Sequence, residues 1–196
     1  MSSRVAVAPR RHIRPQQADT VQRLLEAAVE VVKTTGYEGL TIRGVAQRAN
    51  VAPATAYTYF ASKDHLLAEV FWQRLQTWPQ STIDQRKSAA DKVGVVTRDL
   101  AMVVADEPEL AAAVTTALLA HDADVKQLRD QMGAVFVRRL QDALGRDATT
   151  ELISALSLVL TGAMLMAGMG NLDYHALPDR MAQATALMTG SRRRAR

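Results

Sequence analysis

Residues 41–63 read TIRGVAQRANVAPATAYTYFASK. Thr41 suits an N-cap, because its hydroxyl can accept one of the N–H groups that a helix start leaves unpaired. A short helix is expected from Ile42 to about Ala49. Asn50 tolerates the left-handed conformation that turns a chain sharply. Pro53 suits a first helical turn, where its missing N–H is no loss. A second short helix is therefore expected from Pro53 to about Tyr59. Val45, Ala46, Ala49, Val51 and Ala56 are small and apolar, so the two helices can pack closely. Two short helices at a tight turn form the helix-turn-helix arrangement, whose second helix enters the DNA major groove while the first crosses the backbone. Thr55, Tyr57 and Tyr59 place hydroxyls on the second helix, and Arg43 and Lys63 bracket the unit with positive charge. Lys63 adjoins Ser62, the expected cap of the next helix, and a helix N-terminus itself attracts phosphate. On these grounds alone, DNA binding and plain helix packing stand about equal.

The flanking sequence is helical on both sides. Val21, Leu24, Leu25, Ala28, Val31 and Val32 recur on one helical face. Gly36 sits where a glycine would end that helix. Ser62 starts a longer helix carrying Leu66, Leu67, Val70, Phe71, Leu75 and Trp78, and Pro79 ends it. Further helices are expected over 89–106, 108–120, 123–144, 148–169 and 177–189, with Asp122 and Asp147 as caps. About nine helices and no strand pattern predict an all-α fold.

Composition agrees and narrows the function classes. The chain has 196 residues, 48% of them hydrophobic and 22% charged, as in an ordinary globular protein. The absence of cysteine excludes disulfides, thiol nucleophiles and thiolate metal sites. Charge is unevenly spread. Residues 1–64 carry nine basic and five acidic side chains, residues 65–190 carry eleven and fifteen, and the tail 191–196 carries four arginines. A basic end can meet a polyanion that an acidic body would repel. The expected organisation is a basic flexible arm over 1–15, a helix-turn-helix domain over 16–64, a helical body over 65–190 and a basic tail over 191–196.

No catalytic constellation is evident. His12, His65, His121 and His175 are scattered, and none has a partner at a metal-binding spacing. His121-Asp122-Ala123-Asp124 reads as a polar link with a cap rather than a ligand cluster. The chain lacks GxSxG and Walker motifs, so neither an enzyme nor a cofactor is expected. The most apolar stretch, Ala155 to Gly170, spans 16 residues, short of the roughly 18–20 that a membrane span needs. It reads as a buried or interface helix, and the protein is expected to be cytoplasmic, with no membrane partner.

The run Thr41–Ile42–Arg43, Val45-Ala46, Ala49-Asn50-Val51, Thr55–Tyr57–Tyr59-Phe60 and Ser62-Lys63–Leu66 resembles the signature of TetR-family transcriptional regulators. Gly36-Tyr37 and Leu40-Thr41 extend the match, which covers about residues 18–70. Asn50 and Ala54 stand where the family usually has glycine, which leaves the operator sequence open.

The resemblance implies that Thr41, Arg43, Pro53, Ala54, Thr55, Tyr57, Tyr59 and Lys63 face double-stranded DNA. Phe60 and Tyr37 read better as core. The resemblance also implies that the remaining helices form a ligand-binding and dimerisation domain. The last two helices would pair with their copies in a homodimer, with Ala155, Gly162, Ala163 and Ala167 permitting close approach. Leu158, Leu160, Met164 and Met166 would supply buried area there. A pocket between the central helices would be lined by Leu75, Trp78, Leu100, Val104, Leu118, Met132, Phe136 and Met164. Its contents would be an apolar small molecule, with Arg98, Arg138 or Arg139 placed for a polar head. The resulting expectation is a ligand-responsive repressor on a palindromic operator. The alternatives are a DNA-binding regulator without an effector, or an apolar-ligand module or enzyme with a vestigial helix-turn-helix.

Overall fold

The computed structural model describes residues 15–194. The expected basic arm, apart from Pro15, and the end of the basic tail lie outside the described residues. Nine α-helices and no strand are present among the described residues: α1 (Pro15–Gly39), α2 (Ile42–Arg48), α3 (Pro53–Tyr59), α4 (Lys63–Thr77), α5 (Ala89–Ala101), α6 (Pro108–Leu118), α7 (Ala123–Leu144), α8 (Thr150–Gly168) and α9 (Leu177–Arg194). The all-α expectation holds.

Most helix ends follow from local chemistry. Thr41, Ser62 and Asp122 accept backbone N–H groups at the starts of α2, α4 and α7. Gly36 breaks the regular turn of α1 at φ 65°, a conformation that costs glycine little, and a last short turn follows it. Asn50 turns the chain between α2 and α3 at φ 52°. Three expectations need correction. The helix over 89–106 stops at Ala101, and residues 102–106 form turns before Glu107, which Pro108 keeps out of the helical conformation. Asp147 does not cap α8; it lies in a single tight turn over Gly145–Asp147, and the cap falls to Thr149, whose Oγ1 accepts the N–H of Leu152 at 3.3 Å. Likewise α9 continues past 189 to Arg194.

Two apolar clusters form the core. The first joins α1, α2, Ala56 of α3, α4, α6 and the start of α7. The second joins α5, the later part of α7, α8 and Met181 of α9. Leu100 and Met164 pack against both. The first cluster crosses the boundary expected at 64/65 without a break, so α4 belongs to both halves by packing. α6 and α8 approach closely at Gly168, where a Cβ would fall 1.9 Å from Thr115 Oγ1.

α8 differs from expectation in two ways. Its 19 residues make it long and apolar enough to cross a membrane, so the length argument against a span does not hold. Its apolar side chains also divide. Leu160 and Ala167 are buried, whereas Leu158 is 73% exposed and Met166 is 51% exposed.

Polar ties add to the apolar core. Asp99 on α5 is buried and accepts hydrogen bonds from Ser81, through both its N–H and hydroxyl, and from Arg139 on α7. Arg139 is therefore already engaged and is not available for a ligand head; Arg98 and Arg138 are exposed. Glu107 receives Lys33 of α1 at 2.7 Å and Arg74 of α4, linking three elements. The Arg74 hydrogen bond is the main cause that holds the Glu107 carboxyl below its usual range.

Tyr37 ties the end of α1 to the start of α4. Its hydroxyl donates to Asp64 Oδ1 at 2.6 Å, its carbonyl accepts Lys63 Nζ at 3.0 Å, and that ammonium lies 3.8 Å from the ring centre. Burial, aided by the Asp64 hydrogen bond, pushes the phenol up to about 12 from an ordinary value of 10.0. A raised phenol pKa favours the protonated form in the folded state. Its stabilising contribution is whole below the unfolded value and is lost as pH rises from about 10 to 12. Difference absorbance between the wild-type chain and Tyr37→Phe is expected to show an ionisation midpoint near 12. The stability gap between the two proteins should shrink over the same interval in denaturant titrations. A midpoint at the ordinary tyrosine value would show that the Asp64 bond does not persist in solution.

Candidate nucleic-acid interface

α3 is almost bare. Of its seven residues only Ala56 is buried, and Tyr59 is half-buried against the first cluster. Pro53, Ala54, Thr55 and Tyr57 are exposed, the last by 54%. The helix is held from its ends. On the α2 side the Val51 N–H reaches back to the Ala46 carbonyl at 2.9 Å, closing the turn. At the other end Phe60 is buried, its N–H bonds the Ala56 carbonyl at 3.0 Å, and its ring meets His65 edge-on at 5.6 Å.

The structure places the eight expected DNA-facing residues on α2, α3 and the helix starts beside them but gives them different surroundings. Thr41 is exposed, and its hydroxyl accepts the Gly44 N–H at 3.0 Å, so its cap role is filled. Arg43, Thr55 and Tyr57 have no intramolecular side-chain partner among the described residues. Lys63 is half-buried and held by Tyr37, a partner that sequence spacing did not suggest. Arg48 on α2 pairs with Glu30 at 2.7 Å, and Arg23 on α1 donates to the Ala49 carbonyl at 3.3 Å. Arg43 is thus the basic side chain of α2 left free among the described residues. Its guanidinium is suited to phosphate or to a guanine edge.

Just past α3 in the chain, the start of α4 forms a polar junction with the start of α7. Ser62 Oγ donates to Asp122 Oδ2 at 2.8 Å, and His65 Nδ1 lies 3.7 Å from Asp124 Oδ2. The Ser62 hydrogen bond is the main cause that keeps the Asp122 carboxyl below its usual range. The sequence reading assigned both Ser62 and Asp122 as caps but gave no sign that the caps meet, because the residues are 60 apart.

Two of the eight expected pocket residues share a groove, and the others are packed in or against the apolar clusters. Trp78 and Val104 line a groove of about 320 Å³ between the end of α4 and the turns before α6, together with Arg74, Met102 and Glu107. Leu75 and Met132 are packed in the first cluster, with Leu118 against it, and Phe136 is packed in the second. Leu100 and Met164 sit where the clusters meet. A larger groove of about 490 Å³ runs between α7 and α8, lined by Val137, Ile153, Ser157, Leu158 and Thr161, none of them an expected pocket residue. No group of three or more potential metal ligands is present among the described residues.

Known proteins resemble the chain in sequence and in fold. The family model for bacterial regulatory proteins, tetR family, matches residues 24–70, the stretch that contains α2, α3 and most of α1. An HTH-type transcriptional regulator of Mycobacterium tuberculosis is 44% identical over 177 residues, covering 89% of this chain and 82% of the relative. The HTH-type transcriptional repressor KstR of Rhodococcus jostii is 28% identical over 155 residues, covering 76% and 71%. Among solved structures, a TetR transcriptional regulator from Rhodococcus sp. RHA1 superposes with a TM-score of 0.71 at 22% identity, covering 90% of this chain and 98% of its own. The regulator FadR from Bacillus subtilis, in complex with stearoyl-CoA, gives 0.59 at 18% identity, covering 84% and 96%. With the helix-turn-helix geometry and the near-full-length relatives in agreement, this chain belongs to the TetR family of bacterial transcriptional regulators.

Proposed function

We propose that this regulator is a homodimeric repressor that binds a palindromic operator through α3 and releases it when an apolar small molecule occupies the body. The observation that carries the reading is the bareness of α3, which buries one side chain of seven. Arg43, Thr55 and Tyr57 are the leading DNA contacts, since nothing in the described protomer occupies them. Pro53 and Ala54 lie at the α3 N-terminus, where close backbone approach to phosphate is favoured. Thr41, Tyr59 and Lys63 complete the set from its margins. An ammonium has three donors, so Lys63 can keep its bond to Tyr37 and still offer one to phosphate. Two copies of α3 in a symmetric dimer would enter successive major grooves about 34–36 Å apart. In this reading residues 16–64 and 65–190 are functional units that share one core.

The dimer is assigned to α8 and α9. Leu158, Met166 and, just past its end, Met169 leave apolar surface on α8, and Leu187 on α9 is 75% exposed. Large exposed apolar side chains grouped on two neighbouring helices mark an interface, and a self-complementary patch suits two-fold pairing. The apolar length of α8 is then covered by a second copy rather than by lipid.

Repression is supported by the likeness to KstR, a repressor. An apolar effector is supported by the FadR fold neighbour, whose structure holds stearoyl-CoA, and by the groove beside Trp78 and Val104. Such a ligand acts only through different affinities for the two states of the protein. A regulator without an effector is the second reading. The observation favouring it is that Leu75, Met132 and Phe136 are already packed in the protomer core.

Two experiments test these assignments. In anisotropy titrations on a duplex selected by the wild-type chain, Tyr57→Phe and Lys63→Ala should each weaken binding while leaving the dimer folded. Lys63→Ala should also lower the salt slope of log K by about one unit, as for one lost phosphate contact. Wild-type affinity in both variants would refute the DNA-contact set. In sedimentation, Leu158→Glu should give folded monomers, because the carboxylate stands in water on the protomer but would be buried unpaired between copies. An intact mutant dimer would place the interface elsewhere.

A further inference from the structure

Two helix starts meet at one carboxylate. Asp122 Oδ1 accepts the N–H groups of Asp124 and Val125, at 2.8 and 3.3 Å, and so caps α7. Its Oδ2 accepts the Ser62 hydroxyl at 2.8 Å. Ser62 Oγ in turn accepts the His65 N–H at 3.0 Å and caps α4. The same negative charge therefore stands at the positive ends of helices of 15 and 22 residues, and both dipoles favour it. A hydrogen bond to an ionised acceptor is about twice as strong as one between neutral groups.

The junction follows the DNA-facing helix within one short turn of chain. Ser62 is three residues past Tyr59, the last residue of α3, and Phe60 in between is buried. At the other end α7 is fixed in the body. Met132 and Phe136 are packed in the two clusters, and Arg139 holds the buried Asp99. α7 is thus a rigid link from the middle of the body to the residue that starts α4.

We infer that Asp122 is the positioning residue through which the body sets the attitude of α3, and with it operator affinity. The inference rests on the reading of α3 as the DNA-facing helix. Asp122 acts through Ser62 and makes no contact with DNA itself. A shift of α7 along its axis would carry Asp122 away from Ser62 and leave the α4 start and the α3–α4 turn without their fixed point.

The test exchanges the two partners in the full-length chain. The probe is a duplex selected by the wild-type protein from a random library. Ser62→Asp keeps a good cap on α4 but sets two carboxylates face to face. Asp122→Ser keeps a cap on α7 but offers Ser62 no carboxylate. The double variant restores one hydroxyl and one carboxylate with their places swapped. Each single variant should bind about tenfold more weakly, about 1.4 kcal/mol, while remaining a cooperatively folding dimer. The double variant should return to within about twofold of the wild type, beyond what additive single effects allow. Wild-type affinity in both singles, or a double no better than the sum of the singles, would overturn the inference. Should a single variant fail to fold, Asp122→Asn replaces it, since asparagine caps a helix as well as aspartate does but carries no charge. It should show the same loss, and unchanged affinity would overturn the inference. Failure of the α3 reading is seen separately, as unchanged affinity in Thr55→Ala and Tyr57→Ala.

Discussion

A seven-residue helix that buries one side chain cannot hold its own shape or place. Isolated helices shorter than about 12–15 residues are marginal in water, and α3 buries only Ala56, with Tyr59 half-buried against the same cluster. Its conformation is supplied from outside. Asn50 sets the angle of entry at φ 52°, the Val51 to Ala46 bond closes the turn, and Phe60 fastens the exit. Further back, the Tyr37 and Lys63 contacts fix α4 to α1, and Asp122 fixes it to α7. The free surface of α3 follows from this arrangement. Because its neighbours hold it by the ends, its outer face can stay unpacked and available to a partner.

The same division between holding and presenting recurs in the body. One side of α8 is drawn into the core by Leu152, Leu156 and Leu160 and by the close contact of Gly168 with Thr115, while Leu158 and Met166 point away. The two halves of the molecule share the first apolar cluster, so they are not separate packing units. Polar ties such as Lys33–Glu107–Arg74 and Ser62–Asp122 cross the same boundary. Apolar packing is nondirectional and tolerates small slides, whereas a hydrogen bond is lost within a fraction of an ångström of its proper geometry. The polar ties are therefore where a shift in the body is felt at α3.

Much of this was readable from residues 41–63 and their flanks, because those features are local. A cap, a proline at a helix start and a residue suited to positive φ each act over three or four positions, and Thr41, Asn50, Pro53, Ser62, Asp122 and Gly36 all act as expected. Errors arose where two local signals competed. Asp147 and Thr149 both suit a cap, and the tight turn at Gly145 decided in favour of Thr149. The legible part of the site was likewise the local part, the exposed face of α3. The partners of Lys63, Ser62, Arg74 and Arg139 lie 26 to 60 residues away along the chain, and no periodicity reports such pairs. Helical face alone points to the pocket residues, and it separates inside from outside but not lining from packing.

In the proposed function, two copies of α3, held at fixed spacing, read DNA from the major groove. Methylation of guanine N7, which lies in the major groove, tests it most directly when applied to the duplex that the wild-type dimer selects. Two clusters of interfering guanines are expected, related by two-fold symmetry and separated by one helical turn of about 10–10.5 base pairs or a multiple of it. Interference confined to a single cluster, or binding insensitive to N7 methylation throughout the site, would contradict it.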